Sequence, residues 1–235
     1  MATTTDVIPE NTIRVLDHGF VRLDAAMAGD LSVVNGARVS FARHKEEMDE
    51  SDEGLIRFLM RDRHGTPFEH NSFRFHIRCP IFVAREWMRH RVGSFNEFSM
   101  RYAKATDDFY VPEPEDVRTQ VGKPGAYTFD PVDPEIAEQA RDELRAVYDA
   151  AFAAYERLVE LGVARELARC VMPVGAYTEF YWTINARSLM NFVSLRAAET
   201  AQREILRYAE AVEQFFADKM PVTHAAFVAN DRTAP

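Results

Sequence analysis

Cysteine is scarce, with only Cys79 and Cys170 among 235 residues. Two isolated thiols make neither a disulfide framework nor a C-x-x-C motif. The seven histidines include no H-E-x-x-H pair that would set a metal on one helix face. A cytosolic chain that needs no metal is the expectation. No apolar run approaches the ~18 residues of a membrane span, and Met1 to Pro9 lacks the basic flank and apolar stretch of a leader. Nothing in the sequence is expected to target export or a bilayer. Positive charge is also short: 28 Lys+Arg face 37 Asp+Glu, a net −9. That balance repels a phosphate backbone and argues against general nucleic-acid binding. Glycine is sparse too, and no Gly-rich dinucleotide fingerprint is present.

What is there suits a soluble fold, with 47% hydrophobic and 28% charged residues. Arg14 to Arg22 reads as short β segments. Glu50 to Arg63 reads as a helix with Leu55, Ile56, Leu59 and Met60 on one side, stopped by His64-Gly65-Thr66-Pro67. Ser72 to Cys79 alternates Phe73, Phe75, Ile77 and Cys79 with Arg74, His76 and Arg78, as a half-buried strand does. Cys79 is then a core residue. Pro80 suits a helix start, and Ile81 to Met88 continues that helix. Five prolines between Asp107 and Pro134 predict a surface excursion with little regular structure. Pro134 to Leu161 carries Ile136, Ala140, Leu144, Val147, Ala151, Ala154, Leu158 and Leu161 at helical spacing, and Gly162 ends it. A shorter helix over Val163 to Met172 meets Pro173, and Tyr177 to Ile184 is β-prone. Ser188 to Arg196 and Glu199 to Lys219 return to helix. The expectation is one α+β domain over 1–235, a small mixed or antiparallel sheet flanked by long helices, with residues 1–13 and 228–235 loose.

Against this background Arg89 to Tyr102 stands out, because no amphipathic pattern explains three arginines, a histidine, a glutamate, an asparagine and two serines there. Arginine's planar donor fork matches phosphate and carboxylate oxygens, so the stretch could cradle a phosphorylated molecule. Arg-His-Arg alone also fits a solvated basic run. Glu97 and Asn96 favour a ligand, since a merely basic surface needs no acceptor in its midst.

A second block runs from Asn185 to Arg196. Arg187 and Asn191 share one helical face, which by itself could simply be the wet side. Arg196 instead falls beside Leu189 and Phe192, where the apolar stripe belongs, and a buried arginine must be paired or hold an anion. Arg165 and Arg169, four apart, fit a solvated face. His64 to His70 reads as a polar turn, and Trp87 and Met88 read as core.

Together these segments resemble the flavin-dependent thymidylate synthases, whose RHRxxSxNExSxR pattern Arg89 to Arg101 match at every specified position. The resemblance extends to His64-Gly65-Thr66-Pro67-Phe68-Glu69-His70 and to Glu166 through Arg196, spanning about Leu16 to Phe227. It is weakest over Asp107 to Pro134, and Gly65 fills a position the pattern does not fix. What it implies is reductive methylation of dUMP to dTMP, with methylenetetrahydrofolate as carbon donor, NADPH as reductant and FAD as relay. No cysteine nucleophile is needed. It implies FAD contacts at Thr66, Arg89, His90, Arg91, Glu97, Asn185, Arg187 and Asn191. The nucleotide would meet Glu86, Trp87, Met88 and Arg89, then Glu97, Phe98, Ser99, Met100 and Arg101, together with Arg169 and Arg196. Ser99 and Arg101 suit its phosphate. Arg196 matches the residue implicated in polarising the pyrimidine, and a guanidinium there would stabilise developing negative charge. A homotetramer with active sites shared between subunits is also implied.

Two other functions remain open on the residues. A nucleotide or RNA-end sensor would use the same arginines, but has no need of the Asn185 to Arg196 block. A flavin reductase with another acceptor would oxidise NADPH indifferently to dUMP.

Overall fold

Alternation and helical spacing place most of the elements seen in the computed structural model, which describes residues 9–235. The leader expectation for the N-terminus rests largely on residues 1–8, outside that range. Strand β1 (Thr12–Val15) turns into β2 (Gly19–Met27), so residues 12 and 13, expected to be loose, are held by pairing with Arg22 and Val21. Helix α1 (Asp30–Arg38) follows, then α2 (Glu50–Arg61), which starts at a capping box of Asp49 and Asp52. The expected turn after it winds into one helical turn, α3 (Thr66–Glu69), with Pro67 at its start.

Strand β3 (Ser72–Pro80) forms as its alternation predicts, with Phe73, Phe75, Ile77 and Cys79 fully buried. Each large apolar side chain so buried contributes about 1.5–3 kcal/mol. Helix α4 (Ile81–Trp87) follows at once, and β4 (Ser94–Glu97) lies within the arginine-rich stretch. The excursion 107–134 contains a small exposed hairpin, β5 (Val121–Lys123) with β6 (Ala126–Thr128).

Helix α5 (Pro134–Glu160) is bounded as expected, and Gly162 takes the left-handed φ of +82° that ends helices. Its buried face differs from the expected stripe. Ala137, Tyr148 and Tyr155 are buried, while Ile136 and Val147 are more than half exposed and Leu161, just past the helix, is 79% exposed. Two tyrosines bury more area than the aliphatic row, so they set the rotation. Helix α6 (Arg165–Ala168) is shorter than expected and passes into a 3-10 turn over Arg169–Val171. Strand β7 (Tyr177–Asn185) runs straight into α7 (Ala186–Arg196), whose first turn is capped by the Asn185 side chain. Helix α8 (Arg203–Lys219) begins four residues later than its spacing suggests, and α9 (Pro221–Ala229), which spacing did not reveal, follows.

The main sheet has the order β1-β2-β3-β7-β4, every pair antiparallel, with β3 and β7 in unbroken register from Ser72↔Asn185 to Pro80↔Tyr177. Helices α4, α7 and α8 pack on its apolar face, and Trp87, Trp182, Phe192, Tyr208 and Phe216 fill the layer between. The architecture is α+β, with an antiparallel sheet. Among the described residues no helix is long and apolar enough to cross a membrane. The C-terminal residues 228–235 are not loose. The Ser194 hydroxyl donates to the Arg232 carbonyl, Arg232 Nε lies 3.1 Å from Glu213, and Pro235 is buried.

Candidate functional site

Two elements meet at their ends to make the site. Helix α4 stops at Trp87 and delivers Arg89, His90 and Arg91. Helix α7 starts where β7 ends and presents Asn185, Arg187, Asn191 and Arg196 to the same cavity, of about 740 Å³. Seven expected positions thus converge from two segments. Ile184, Val92, Leu195, Ala234 and Pro235 supply apolar wall. Arg89, Arg91 and Asn191 are exposed, and among the described residues neither Arg89 nor Arg91 has a carboxylate partner within ion-pair distance.

Arg187 stands between this cavity and a second one of about 1000 Å³ that Thr66 lines. Its Nη1 meets Glu69 at 2.5 Å and its Nε donates to the Pro235 carbonyl at 2.7 Å. Gly65 explains how the guanidinium can lie there, because a β-carbon at that position would fall 2.6 Å from Arg187 Cζ. The second cavity also carries Arg43, Arg63, His64 and His70, cationic or titratable groups that no periodicity or motif spacing brings together.

Arg196 is part-buried and paired, as its place in the apolar stripe requires. Its Nε donates to His90 Nε2 at 3.0 Å, Nη1 to the Glu86 carboxylate at 2.8 Å, and Nη2 to the Glu86 carbonyl at 3.2 Å. Burial and the Arg196 charge bring the His90 pKa down to about 4, so the ring is neutral and free to accept. For Glu86, burial pushes the carboxyl pKa up, Arg196 opposes, Glu204 reinforces, and the net shift is upward.

The remaining expected positions lie apart from Arg196 within one chain. Arg101 Nε faces Glu166 at 3.6 Å, and Arg169 Nε donates to the Glu166 carbonyl at 3.4 Å. Ser99 Oγ accepts from the Arg101 amide at 3.3 Å. Neither arginine lines the cavity that holds Arg196. Arg101 comes after β4 and Arg169 opens the 3-10 turn after α6, and both are gathered around Glu166, not at the junction of α4 and α7. Glu97 accepts from the Thr178 hydroxyl at 2.8 Å. Phe98 is exposed, and Met100 packs in a small cluster with Tyr155 and Ala168. The Trp87 ring is fully buried and stacked on Phe192, so its side chain is core, and Met88 packs against that core.

Cys79 is buried, and burial together with Glu97 pushes its thiol pKa well above the ordinary value, the reverse of nucleophile activation. Cys170 is exposed, in the 3-10 turn. Among the described residues no group of three or more His, Cys, Asp or Glu is arranged to hold a metal ion. The donor set of unpaired guanidiniums, asparagine amides and a helix start fits an anionic ligand that also offers amide-like edges.

A family model described as "Thymidylate synthase complementing protein" matches residues 22–222. Similar proteins named "Flavin-dependent thymidylate synthase" include one from Thermosipho africanus, 45% identical over 92% of this chain and 93% of its own. Another, from Streptomyces coelicolor, is 46% identical with the same coverage. Two solved structures of a UMP/dUMP methylase, PolB, from Streptomyces cacaoi are also similar. The one bound with 5-Br UMP is 44% identical, with TM-score 0.87, over 95% of this chain and 99% of that one. The one bound with 5-Br dUMP is 45% identical, with TM-score 0.88, over 95% and 100%.

Proposed function

The chain belongs to the flavin-dependent thymidylate synthase family, and from that premise we propose that it converts dUMP to dTMP by reductive methylation as a cytoplasmic homotetramer. Methylenetetrahydrofolate supplies the carbon and NADPH the electrons. The observation that carries this reading is Arg196, held by Glu86 and His90 at the edge of a cavity rich in uncommitted cationic donors.

When bound, FAD supplies the redox relay between the nicotinamide and the one-carbon unit. Arg89, His90, Arg91, Asn185, Arg187 and Asn191 would hold it, with Thr66 in the adjoining cavity and Glu97 near β7. Because Arg187 borders both spaces, one long ligand spanning the two accounts for the pair of cavities. Arg196 would face the pyrimidine and stabilise negative charge on it as the ring N–H proton leaves. Met88 and the Trp87 backbone would border the nucleotide, with Glu86 next to it through its bonds to Arg196. Glu97, Phe98, Ser99, Met100, Arg101 and Arg169 would take its sugar and phosphate from a neighbouring subunit, which accounts for their distance from Arg196 in a single chain. With Cys79 buried and its thiol disfavoured as an anion, the methyl transfer would proceed without a thiol adduct.

The test is an absorption spectrum with added FAD, followed by tritium release from labelled dUMP with NADPH and methylenetetrahydrofolate. Yellow protein and dUMP-dependent turnover are expected. Arg187→Ala or Asn191→Ala should lose the flavin, and Arg196→Ala should lower kcat/KM by about 10²–10³-fold. A colourless protein in excess FAD rejects the assignment, and NADPH oxidation indifferent to dUMP makes the chain a flavin reductase. Tight RNA binding without turnover makes it a sensor. UMP belongs in the same assay, because the similar solved structures are of a UMP/dUMP methylase.

A further inference from the structure

Arg196 makes three hydrogen bonds inside the protein before any substrate arrives, and two of them go to one residue. A guanidinium has five N–H donors in a fixed plane. Nε spends its only one on His90, Nη1 spends one on the Glu86 carboxylate, and Nη2 spends one on the Glu86 carbonyl. One N–H is then left on each terminal nitrogen.

We infer that Glu86 is a positioning residue: its side chain and main chain, with His90 as the third point, hold the Arg196 guanidinium so that one remaining N–H on each terminal nitrogen is available to the substrate. Donors held in place in this way can meet acceptors on the nucleotide, such as a carbonyl oxygen or the ring nitrogen of a deprotonated pyrimidine. This rests on the proposed role of Arg196 and adds to it how the side chain is held.

Several observations favour holding over direct contact. Glu86 already uses the carboxylate oxygen Oε2 on Arg196, and its side chain is 29% exposed, beside an Arg196 side chain at 22%. A long arginine left free would lose rotamer entropy on meeting substrate, whereas one clamped at three points has already lost it. His90 also has to be a neutral acceptor for the geometry to hold, and it is, with its proton on Nδ1. His90 is itself steadied by the edge of the Phe192 ring, 4.9 Å away, and by its amide bond to the Trp87 carbonyl. The clamp is thus braced on the core between α4 and α7.

The test is a double-mutant cycle read in two ways, by steady-state kinetics and by calorimetric binding of dUMP to the flavin-loaded protein. Glu86→Ala should lower kcat by about 10–100-fold, as a misplaced charge does, with KM for dUMP changed by less than about threefold. Glu86→Gln keeps an acceptor at the same place and should recover most of the loss. In the Arg196→Ala background, Glu86→Ala should cost nothing more in turnover or dUMP affinity, because residues that act through one another are not additive. If Glu86→Ala weakens dUMP binding equally in both backgrounds, Glu86 touches the nucleotide itself and the inference falls. If Glu86→Gln is as impaired as Glu86→Ala while flavin content and melting temperature stay normal, hydrogen-bonded placement is wrong. Wild-type turnover by Arg196→Ala would instead overturn the underlying role of Arg196, a separate result.

Discussion

At the scale of single residues, Gly65 is the sharpest case. Its φ of −72° suits any amino acid, so alanine brings no backbone strain. The obstacle is the Arg187 side chain, whose Cζ lies 2.6 Å from where the β-carbon would sit. Gly65→Ala should push that side chain aside and weaken FAD binding by about 3–30-fold, while stability changes by no more than about 0.5 kcal/mol. Quenching of flavin fluorescence measures the first and thermal melting the second; undiminished affinity would remove Arg187 from the flavin's contacts in this pose. The exposed face shared by Arg187 and Asn191 was legible from helical spacing. Their neighbours were not. Glu69 lies 118 positions from Arg187, and Glu86 lies 110 from Arg196, so only the folded sheet brings the charges together. The need to pair Arg196 could be read; the identity of its partner could not.

At the scale of elements, the excursion 107–134 is pinned to α8. Asp116 is 4% exposed and receives Arg207 at 2.7 and 2.8 Å and Arg203 at 3.0 Å, and Arg118 meets Glu204 at 3.0 and 3.1 Å. Burial pushes the Asp116 carboxyl pKa up, but hydrogen bonds from Arg207 and Arg203 outweigh it, and the net shift is downward. The unfolded carboxyl titrates near 3.8, so this stabilisation is complete above that pH and is lost as pH falls through the lower folded value. Asp116→Ala should cost about 1–3 kcal/mol at pH 7, with both arginines partly solvated. Urea melts should show the gap from wild type constant above about pH 5 and shrinking below about pH 4. A pH-independent gap would deny the ion pair any part. Prolines and acids announced an irregular stretch here, but said nothing of its anchor. In α5 the bounds were legible and the rotation was not, because the helix carries two apolar rows: Tyr148 and Tyr155 are buried with Leu144 and Leu158 packed beside them, while Ile136 and Val147 of the expected row face outward.

At the scale of the whole molecule, the expected nucleotide residues form two groups, one around Arg196 and one around Arg101 and Arg169. The proposed assembly would reunite them in a site closed by a second subunit, and exposed Val39, Phe41, Ile136 and Val147 offer surface for association. Arg101→Ala and Arg187→Ala should each be inactive alone, yet regain about a quarter of wild-type turnover when unfolded and reassembled together, since random mixing leaves about one site in four intact. No recovery in mixed oligomers of confirmed size would confine each site to one chain. Assembly was beyond reach of periodicity, which reports what one chain buries and not what a copy covers.

The join at Asn185 constrains how this chain can vary. Strand β7 passes into α7 with Asn185 serving both as the last strand residue and as the helix cap. One residue gained or lost in β7 would exchange the two faces of the strand, and one gained or lost early in α7 would turn the rest of the helix by about 100°. Either indel carries Arg187, Asn191 and Arg196 away together. An inserted residue at this joint should therefore abolish flavin binding, whereas one in the solvent-exposed hairpin at 121–128 displaces nothing that lines either cavity beside Arg187.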